Sequence, residues 1–258
     1  MLIDTHTHLY SNQFDEDRKE MIQRAKEAGV ESVYLPSIDS AYFDSMLAME
    51  AEDPDWCKLM IGLHPCHVKE NLKEELAFVR DQLETRKFAA IGEVGIDLYW
   101  DKTFRQEQMD ALALQIEWAD EFQLPIVLHV REAFDEVFEV LENTKEKCPR
   151  GIFHCFTGDL KQAEEAISRG FKLGLGGVLT FKKAGLDKVI ENIGMEHLVL
   201  ETDAPYLAPT PHRGKRNETS YIRLVAEKLA SIKGITPEEV IKITGANALE
   251  IFVPYSIM

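Results

Sequence analysis

Cysteine is scarce in this chain: Cys57, Cys66, Cys148 and Cys155 are the whole complement of 258 residues, and no two of them form a CxxC pair. That speaks against a disulfide framework and implies reduced thiols in a reducing compartment. Long apolar runs are missing too, so no segment reads as a membrane span. The first residues carry Asp4, His6 and His8 where a secretory signal needs a basic patch and then an apolar stretch, which makes a cytoplasmic location the expectation. Positive charge is in deficit: 29 Lys and Arg face 45 Asp and Glu, for a formal charge of −16. Such a body opposes general attraction to nucleic acid, because non-specific binding rests on Lys and Arg neutralising phosphates. A phosphate-bearing substrate therefore needs local help, from bound cations or a basic loop. No Gly-rich phosphate-binding turn follows the first apolar run, which disfavours a doubly wound open sheet.

The chain does contain a strict alternation. Eight short runs rich in apolar and β-branched residues fall at 2–8, 32–38, 58–64, 89–95, 125–130, 151–156, 171–177 and 197–203. Amphipathic stretches separate them at 15–28, about 41–51, 72–86, 104–122, 133–147, 160–169 and 184–193, with an eighth at 219–231. A further helix at 237–251 opens with Thr236 as N-cap and Pro237 at the first helical position. Nearly continuous apolar strands between helices read as a parallel sheet covered on its outside, and eight is the number that closes a (β/α)8 TIM barrel. The expectation is one barrel domain over 1–258, somewhat distorted, with an extra C-terminal helix.

Ionisable residues gather at one end of these strands. His6 and His8 end the first, His64 the third, Glu93 the fourth, His129 the fifth, His154 the sixth, and Glu201 and Asp203 the eighth. In a TIM barrel those ends converge on the face where active sites are built. Strand parity puts Asp4, His6 and His8 on one face, and pairs Ile91 with Glu93, Val127 with His129, Ile152 with His154, and Val199 with Glu201 and Asp203. The apolar partner then fills the barrel and the polar tip projects from its mouth. Four histidines with Glu93 and Asp203 supply six nitrogen and oxygen ligands and no thiolate. That is too many for one open tetrahedral zinc site and suits two divalent ions sharing a carboxylate, an arrangement made for hydrolysis. Imidazole favours zinc, cobalt or nickel while carboxylate admits magnesium and manganese, so ligand type leaves the metal open.

Other residues carry competing readings. His64 is either a substrate or phosphate contact or a hydrogen-bonded rim histidine. Glu201 reads as a carboxylate orienting a ligand imidazole, and Asp4 as a deeper carboxylate doing the same. His67 and His197 read as structural. The loop PTPHRGKRNETS places His212, Arg213, Lys215 and Arg216 after the last strand, where loops of this fold often hold phosphate. Gly176 and Gly177 suit close approach of a ligand or merely a turn. Phe156, Tyr99, Trp100, Phe181 and Tyr206 follow the same strand ends and are able to stack on a base or sugar, with packing the commoner role.

The segments DTHTHL, GLHP, GEVGIDLYW, HCFTGD, LETDAPYLAP and RGKRNE, in this order across essentially the whole chain, resemble the TatD family of metal-dependent deoxyribonucleases, which is similar to the amidohydrolase superfamily. The resemblance implies a distorted TIM barrel acting on DNA with divalent metal, often from the 3′ end. By position it implies that His6, His8 and Asp203 hold one ion, that His129 and His154 hold the other, and that Glu93 bridges them. It further implies that Asp203 accepts a proton from the nucleophilic water and that His64 and the RGKRNE loop contact phosphate. Two departures stand out: His64-Pro65-Cys66 where the family often has a second histidine, and Thr219 where proline usually follows RGKRNE. The expected function is exonucleolytic hydrolysis of single-stranded or frayed DNA ends by a monomer without a protein or membrane partner. The alternative keeps the dimetal site but cleaves a carbonyl bond in an ester, a lactone or a D-aminoacyl-tRNA. A third reading is a metal-binding or partner-binding barrel without catalysis.

Overall fold

Val, Ile and Leu runs too short for helices become strands, and the amphipathic stretches between them become helices that cover the sheet. In the computed structural model, which describes residues 1–144 and 150–252, the strands are β1 (Leu2–Asp4), β2 (Val30–Leu35), β3 (Cys57–Ile61), β4 (Ala90–Asp97), β5 (Ile126–Arg131), β6 (Gly151–Phe153), β7 (Phe171–Leu175) and β8 (Leu198–Leu200). The helices are α1 (Arg18–Glu27), α2 (Phe43–Glu52), α3 (Leu72–Thr85), α4 (Arg105–Glu121), α5 (Phe134–Asn143), α6 (Leu160–Ser168), α7 (Leu186–Glu191), α8 (Ile222–Lys233) and α9 (Pro237–Phe252). Cys148 and the end of the stretch expected at 133–147 lie outside the described residues. No helix among the described residues is long and apolar enough to cross a membrane.

Each strand pairs in parallel with the next, in the order β1 to β8. Bonds beyond the regular ladder bring β8 back to β1: the Thr5 amide donates to Leu200 O at 3.1 Å, His8 to Ala204 O at 2.7 Å, and Asp203 to His6 O at 2.9 Å. The result is a nearly closed (β/α)8 barrel, so the open-sheet alternative is set aside.

Apolar residues sort into two cores. The larger lies between strands and helices, with Phe153, Leu128, Ile91 and Leu173 packed against helix residues such as Val137 and Ala163. The smaller fills the barrel interior with Ile3, Tyr34, Met60, Ala90, Val127, Ile152 and Val199, and α9 closes its lower end with Ala248, Ile251 and Phe252. Phe252 stacks on Tyr34 at 3.7 Å between ring centroids. Thr236 starts α9 as expected: its hydroxyl accepts the Glu239 amide and the Glu239 carboxylate accepts the Thr236 amide, a reciprocal cap.

This division corrects two details of strand parity. In β4 it is Ala90, not Ile91, that faces the interior. Between the pairs Ile91 with Ile126 and Val94 with Leu128, β4 advances three residues while β5 advances two. The extra residue is a bulge, and it turns Glu93 toward the mouth although Ile91 faces the helices. In β1, Ile3 faces the interior and the strand stops at Asp4, so strand alternation does not place His6 and His8.

Phe153 is 1% exposed and its ring meets those of Phe134, Phe138 and Phe171. Phe153→Ala is expected to cost about 3–5 kcal/mol of stability by opening a cavity in the larger core. Denaturant unfolding followed by circular dichroism measures it; a loss below about 1 kcal/mol would show that this core does not carry the barrel.

Candidate metal centre

Short strands leave most of the polar residues on the first turns beyond them. His6 and His8 follow β1, His64 follows β3, His154 follows β6, and Glu201 and Asp203 follow β8; Glu93 and His129 are on β4 and β5 themselves. Backbone bonds hold these turns together: Thr7 donates to Tyr34 O at 3.1 Å, Glu93 to Ser37 O at 3.1 Å, and His154 to Leu128 O at 2.9 Å. Asp203 adopts a left-handed φ of 56°, a conformation that aspartate tolerates better than most residues. At Gly95, opposite His129, φ is 144° and an added Cβ would lie 2.0 Å from the His129 carbonyl oxygen, so only glycine lets β4 pass this close.

The side chains converge on Glu93, which is 2% exposed. Its Oε2 lies 3.0 Å from His6 Nε2 and 3.7 Å from His8 Nε2. Its Oε1 lies 2.8 Å from His129 Nδ1, 3.4 Å from His64 Nε2 and 3.8 Å from His154 Nε2. Asp203 Oδ1 stands 3.4 Å from His8 Nε2 and 4.0 Å from His6 Nε2. Three overlapping groups, His6 with His8 and Asp203, His6 with Glu93 and His154, and His64 with Glu93 and His129, each bring their ligand atoms within 4.8 Å of one another. His129 thus gathers with His64 around one oxygen of Glu93, while its ring centroid is 6.5 Å from that of His154.

The outward-facing nitrogens are engaged as well. Tyr10 donates its hydroxyl proton to Pro36 O at 2.6 Å, so its oxygen accepts from His8 Nδ1 at 2.7 Å. That bonding assigns the proton to Nδ1 and leaves the Nε2 lone pair facing Asp203 and Glu93, an arrangement suited to a cation between them. His129 Nε2 is 2.9 Å from Asp97 Oδ2, and Asp97 is held in turn by the Tyr99 amide on Oδ1 and by Gln108 on its backbone. His154 Nδ1 is 2.9 Å from Glu201 Oε1, which also accepts the Cys155 amide at 2.6 Å. His64 differs: its Nδ1 accepts the Cys66 amide at 3.0 Å, so a neutral ring carries its proton on Nε2, directed at the site. That makes His64 a hydrogen-bond donor there.

Charge is distributed unevenly. Burial, aided by His154, pushes His6 down to about 4. Burial also opposes charge on His154, but Glu201 and Glu93 outweigh it and raise that imidazole to about 10. The two rings stack 3.4 Å apart between centroids, so one of them stays neutral. His129 rises to about 9 because Asp97 and Glu93 overcome its burial. Against its own burial, Glu93 is held well below the usual carboxylate range by the surrounding imidazoles. His6 Nδ1 is buried without a hydrogen-bond partner, while His6 Nε2 and His154 Nδ1 face carboxylate oxygens at 3.0 and 2.9 Å without hydrogen-bond geometry. A buried neutral imidazole with an unpaired nitrogen beside an ionised carboxylate is a costly arrangement unless a cation completes it. These donors, nitrogen and oxygen with no thiolate on the Glu93 side, fit divalent metal.

The structure moves several expected residues elsewhere. Asp4 steadies no imidazole: its oxygens accept the Thr202 hydroxyl at 2.6 Å, the Thr202 amide at 2.9 Å and the His6 amide at 3.4 Å, and burial raises it to about 7. The basic loop turns away from the cavity because Asn217 binds Thr202 O and Tyr206 O, and Arg216 pairs with Asp17 at 2.7 Å. Arg213 covers the Phe181 ring at 4.4 Å, His212 stacks on Tyr221, and Lys215 is exposed; none of these cations lines the cavity over Glu93. Gly177 serves the turn: an added Cβ would lie 1.9 Å from Leu207 O. Thr219, the departure from proline, is buried with its hydroxyl 3.3 Å from that of Thr7. Three residues were not singled out for this site from the sequence: Tyr10, Asp97 and Arg131, the last at the rim of the cavity. Tyr10 has parity with His8, and Asp97 follows Glu93 by four, but neither spacing discloses a bond to an imidazole from the sequence alone.

A family model described as TatD related DNase matches residues 3–253. An uncharacterized metal-dependent hydrolase YabD of Bacillus subtilis is 40% identical over 253 residues, 98% of this chain and 99% of that protein. A 3′-5′ ssDNA/RNA exonuclease TatD of Erwinia tasmaniensis is 31% identical over 97% of this chain and 99% of its own length. Among solved structures, the TatD homolog YJJV from Escherichia coli k12 superposes with a TM-score of 0.91 at 30% identity, covering 98% of each chain.

Removing the partner of an imidazole's outer nitrogen is expected to weaken metal binding about 10–100-fold. Asp97→Asn and Tyr10→Phe therefore lower affinity in a chelator competition while circular dichroism is unchanged, and Arg216→Ala does not. Equal affinities in all four proteins would contradict the assignment.

Proposed function

The chain belongs to the TatD-related DNase family of metal-dependent hydrolases, and we propose that it is an exonuclease shortening single-stranded DNA from the 3′ end with two divalent ions held around Glu93. The observation that carries this reading is the buried Glu93 carboxylate, both of whose oxygens face imidazole nitrogens at the floor of a cavity of about 620 Å³. His6, His8 and Asp203 would hold one ion, His129 and His154 the other, and Glu93 both. When bound, the ions supply a water-derived nucleophile at neutral pH and offset charge developing on phosphate oxygens.

The protein's own groups do the rest. Asp203, ionised and only 9% exposed, is the acceptor for the proton of the attacking water. His64, with its donor nitrogen directed into the site, is placed to hydrogen-bond a phosphate oxygen. The outer partners Tyr10, Asp97 and Glu201 orient His8, His129 and His154, so that little reorganisation accompanies reaction. A cavity of this volume falls in the range of small-ligand sites, about 300–1,000 Å³, which suits a chain terminus better than the side of a duplex. The likeness to an enzyme named for 3′-5′ exonuclease action on ssDNA and RNA supports the same polarity.

One observation favours the carbonyl-hydrolase alternative: the cavity is lined by three carboxylates, Glu93, Asp97 and Asp203, and a single Lys or Arg, namely Arg131. An ester, a lactone or a D-aminoacyl-tRNA bond makes less demand on cationic side chains than a phosphodiester. A direct comparison separates the two. Protein loaded with Mg²⁺, Mn²⁺ or Zn²⁺ is expected to shorten a 5′-labelled single-stranded oligonucleotide stepwise, and Glu93→Gln to lose at least about 100-fold of that rate, the scale of a removed electrostatic contact to the transition state. Ester or lactone cleavage without shortening would replace the nuclease reading.

A further inference from the structure

Three large apolar side chains that line the cavity are left exposed: Trp100 at 72%, Tyr206 at 47% and Leu207 at 41%. Trp100 is the extreme case. The other two tryptophans, Trp56 and Trp118, are 5% and 7% exposed, so the fold is able to bury indoles and leaves this one at the rim. Tyr99 meets it edge to face at 4.7 Å between centroids. Over this pair sits Arg131, its guanidinium 3.8 Å from the Tyr99 centroid and 5.3 Å from that of Trp100. The arginine is fixed from below, because Arg131 ends β5 opposite Asp97 and its carbonyl accepts the Leu98 amide at 3.0 Å. His129 stands two residues earlier on the same strand. One wall of the cavity therefore carries an indole face, a stacked guanidinium and, immediately below, the donors around Glu93.

We propose that Trp100 and Arg131 form a subsite for the unpaired nucleobase and phosphate adjoining the scissile bond, the indole face taking the base and the guanidinium the phosphate. This deepens the nuclease reading and rests on it. An exposed indole takes a base of any sequence on its π-face, and stacking of this kind is a main source of affinity for single strands. Arg131, pre-oriented by Tyr99, contributes the planar donor that matches phosphate oxygens. It is the cavity's one Lys or Arg in a chain of net charge −16, so attraction to the polyanion concentrates at this wall and at the ions below it. In a duplex the bases are stacked on one another and are not available to Trp100. The subsite thus selects strands with an unpaired end rather than a particular sequence.

Tryptophan fluorescence reads the contact. Metal-loaded, full-length protein is mixed in a stopped-flow cell with oligothymidylate, oligouridylate, a blunt duplex or inorganic phosphate. Both single strands are expected to quench the emission, and the duplex and phosphate to leave it unchanged. In steady-state cleavage of oligothymidylate, Trp100→Ala is expected to raise KM about ten-fold, the effect of one lost base stack, while kcat moves less than two-fold. Trp100→Phe, which keeps an aromatic face, restores most of the KM. Equal quenching by duplex and single strand, or a KM within two-fold of wild type in Trp100→Ala, would overturn the subsite. If wild-type protein shortens DNA but Trp100→Ala keeps its KM, the subsite alone fails. If wild-type protein cleaves esters and not DNA, the nuclease reading fails with it.

Discussion

Everything at the mouth of this barrel follows from the burial of one ionised carboxylate. Glu93 lies among five imidazoles with almost no access to solvent, and a charge so placed is tolerable only when it is compensated. The compensation is built in layers. Imidazoles from four barrel loops or strands present nitrogens to its two oxygens, and Tyr10, Asp97 and Glu201 engage the opposite nitrogens. The barrel supplies the rigidity: each contributing segment is fixed by backbone bonds to its neighbours, and α9 packs Ala248, Ile251 and Phe252 against the apolar cluster at the far end. What remains unmatched in such a centre is the buried His6 Nδ1, which has no hydrogen-bond partner.

The sequence made much of this legible, and the reasons divide cleanly. Apolar runs alternating with amphipathic stretches announce a parallel sheet because both faces of such strands are buried, and eight of them point to a closed barrel over an open sheet. Histidines and acids clustered at run ends announce a site because topology brings those ends together. Details that depend on register were not accessible. The β4 bulge reverses the expected relation between Ile91 and Glu93, and β1 ends before His6, so the parity expected to aim these side chains does not hold there, while their place at the strand ends does. Asp4 is expected from its place two residues before His6 to support an imidazole; its oxygens instead accept the Thr202 hydroxyl and amide, almost two hundred positions away, and the His6 backbone amide.

The basic loop shows how far composition is from placement. Four basic residues close together in an acidic chain invite a phosphate role, yet Arg216 is drawn to Asp17 on the approach to α1, and Arg213 to Phe181. The Arg216–Asp17 pair is bidentate and part-buried, with two bonds of 2.7 Å, and with the Arg213–Phe181 contact it fixes the path of the loop. The cation that does reach the cavity, Arg131, stands alone in the sequence as the last residue of a strand. Its location relative to Trp100 depends on the pairing of β4 with β5, which no local pattern reports.

A Glu93 carboxylate so surrounded is expected to organise a two-ion centre. Elemental mass spectrometry on protein dialysed against Mn²⁺ or Zn²⁺, paired with thermal unfolding of the same sample, tests it most directly. Two ions per chain, a lower Tm after chelation, and at most one ion in Glu93→Gln are expected. No retained metal, or two ions bound equally well by Glu93→Gln, would contradict it.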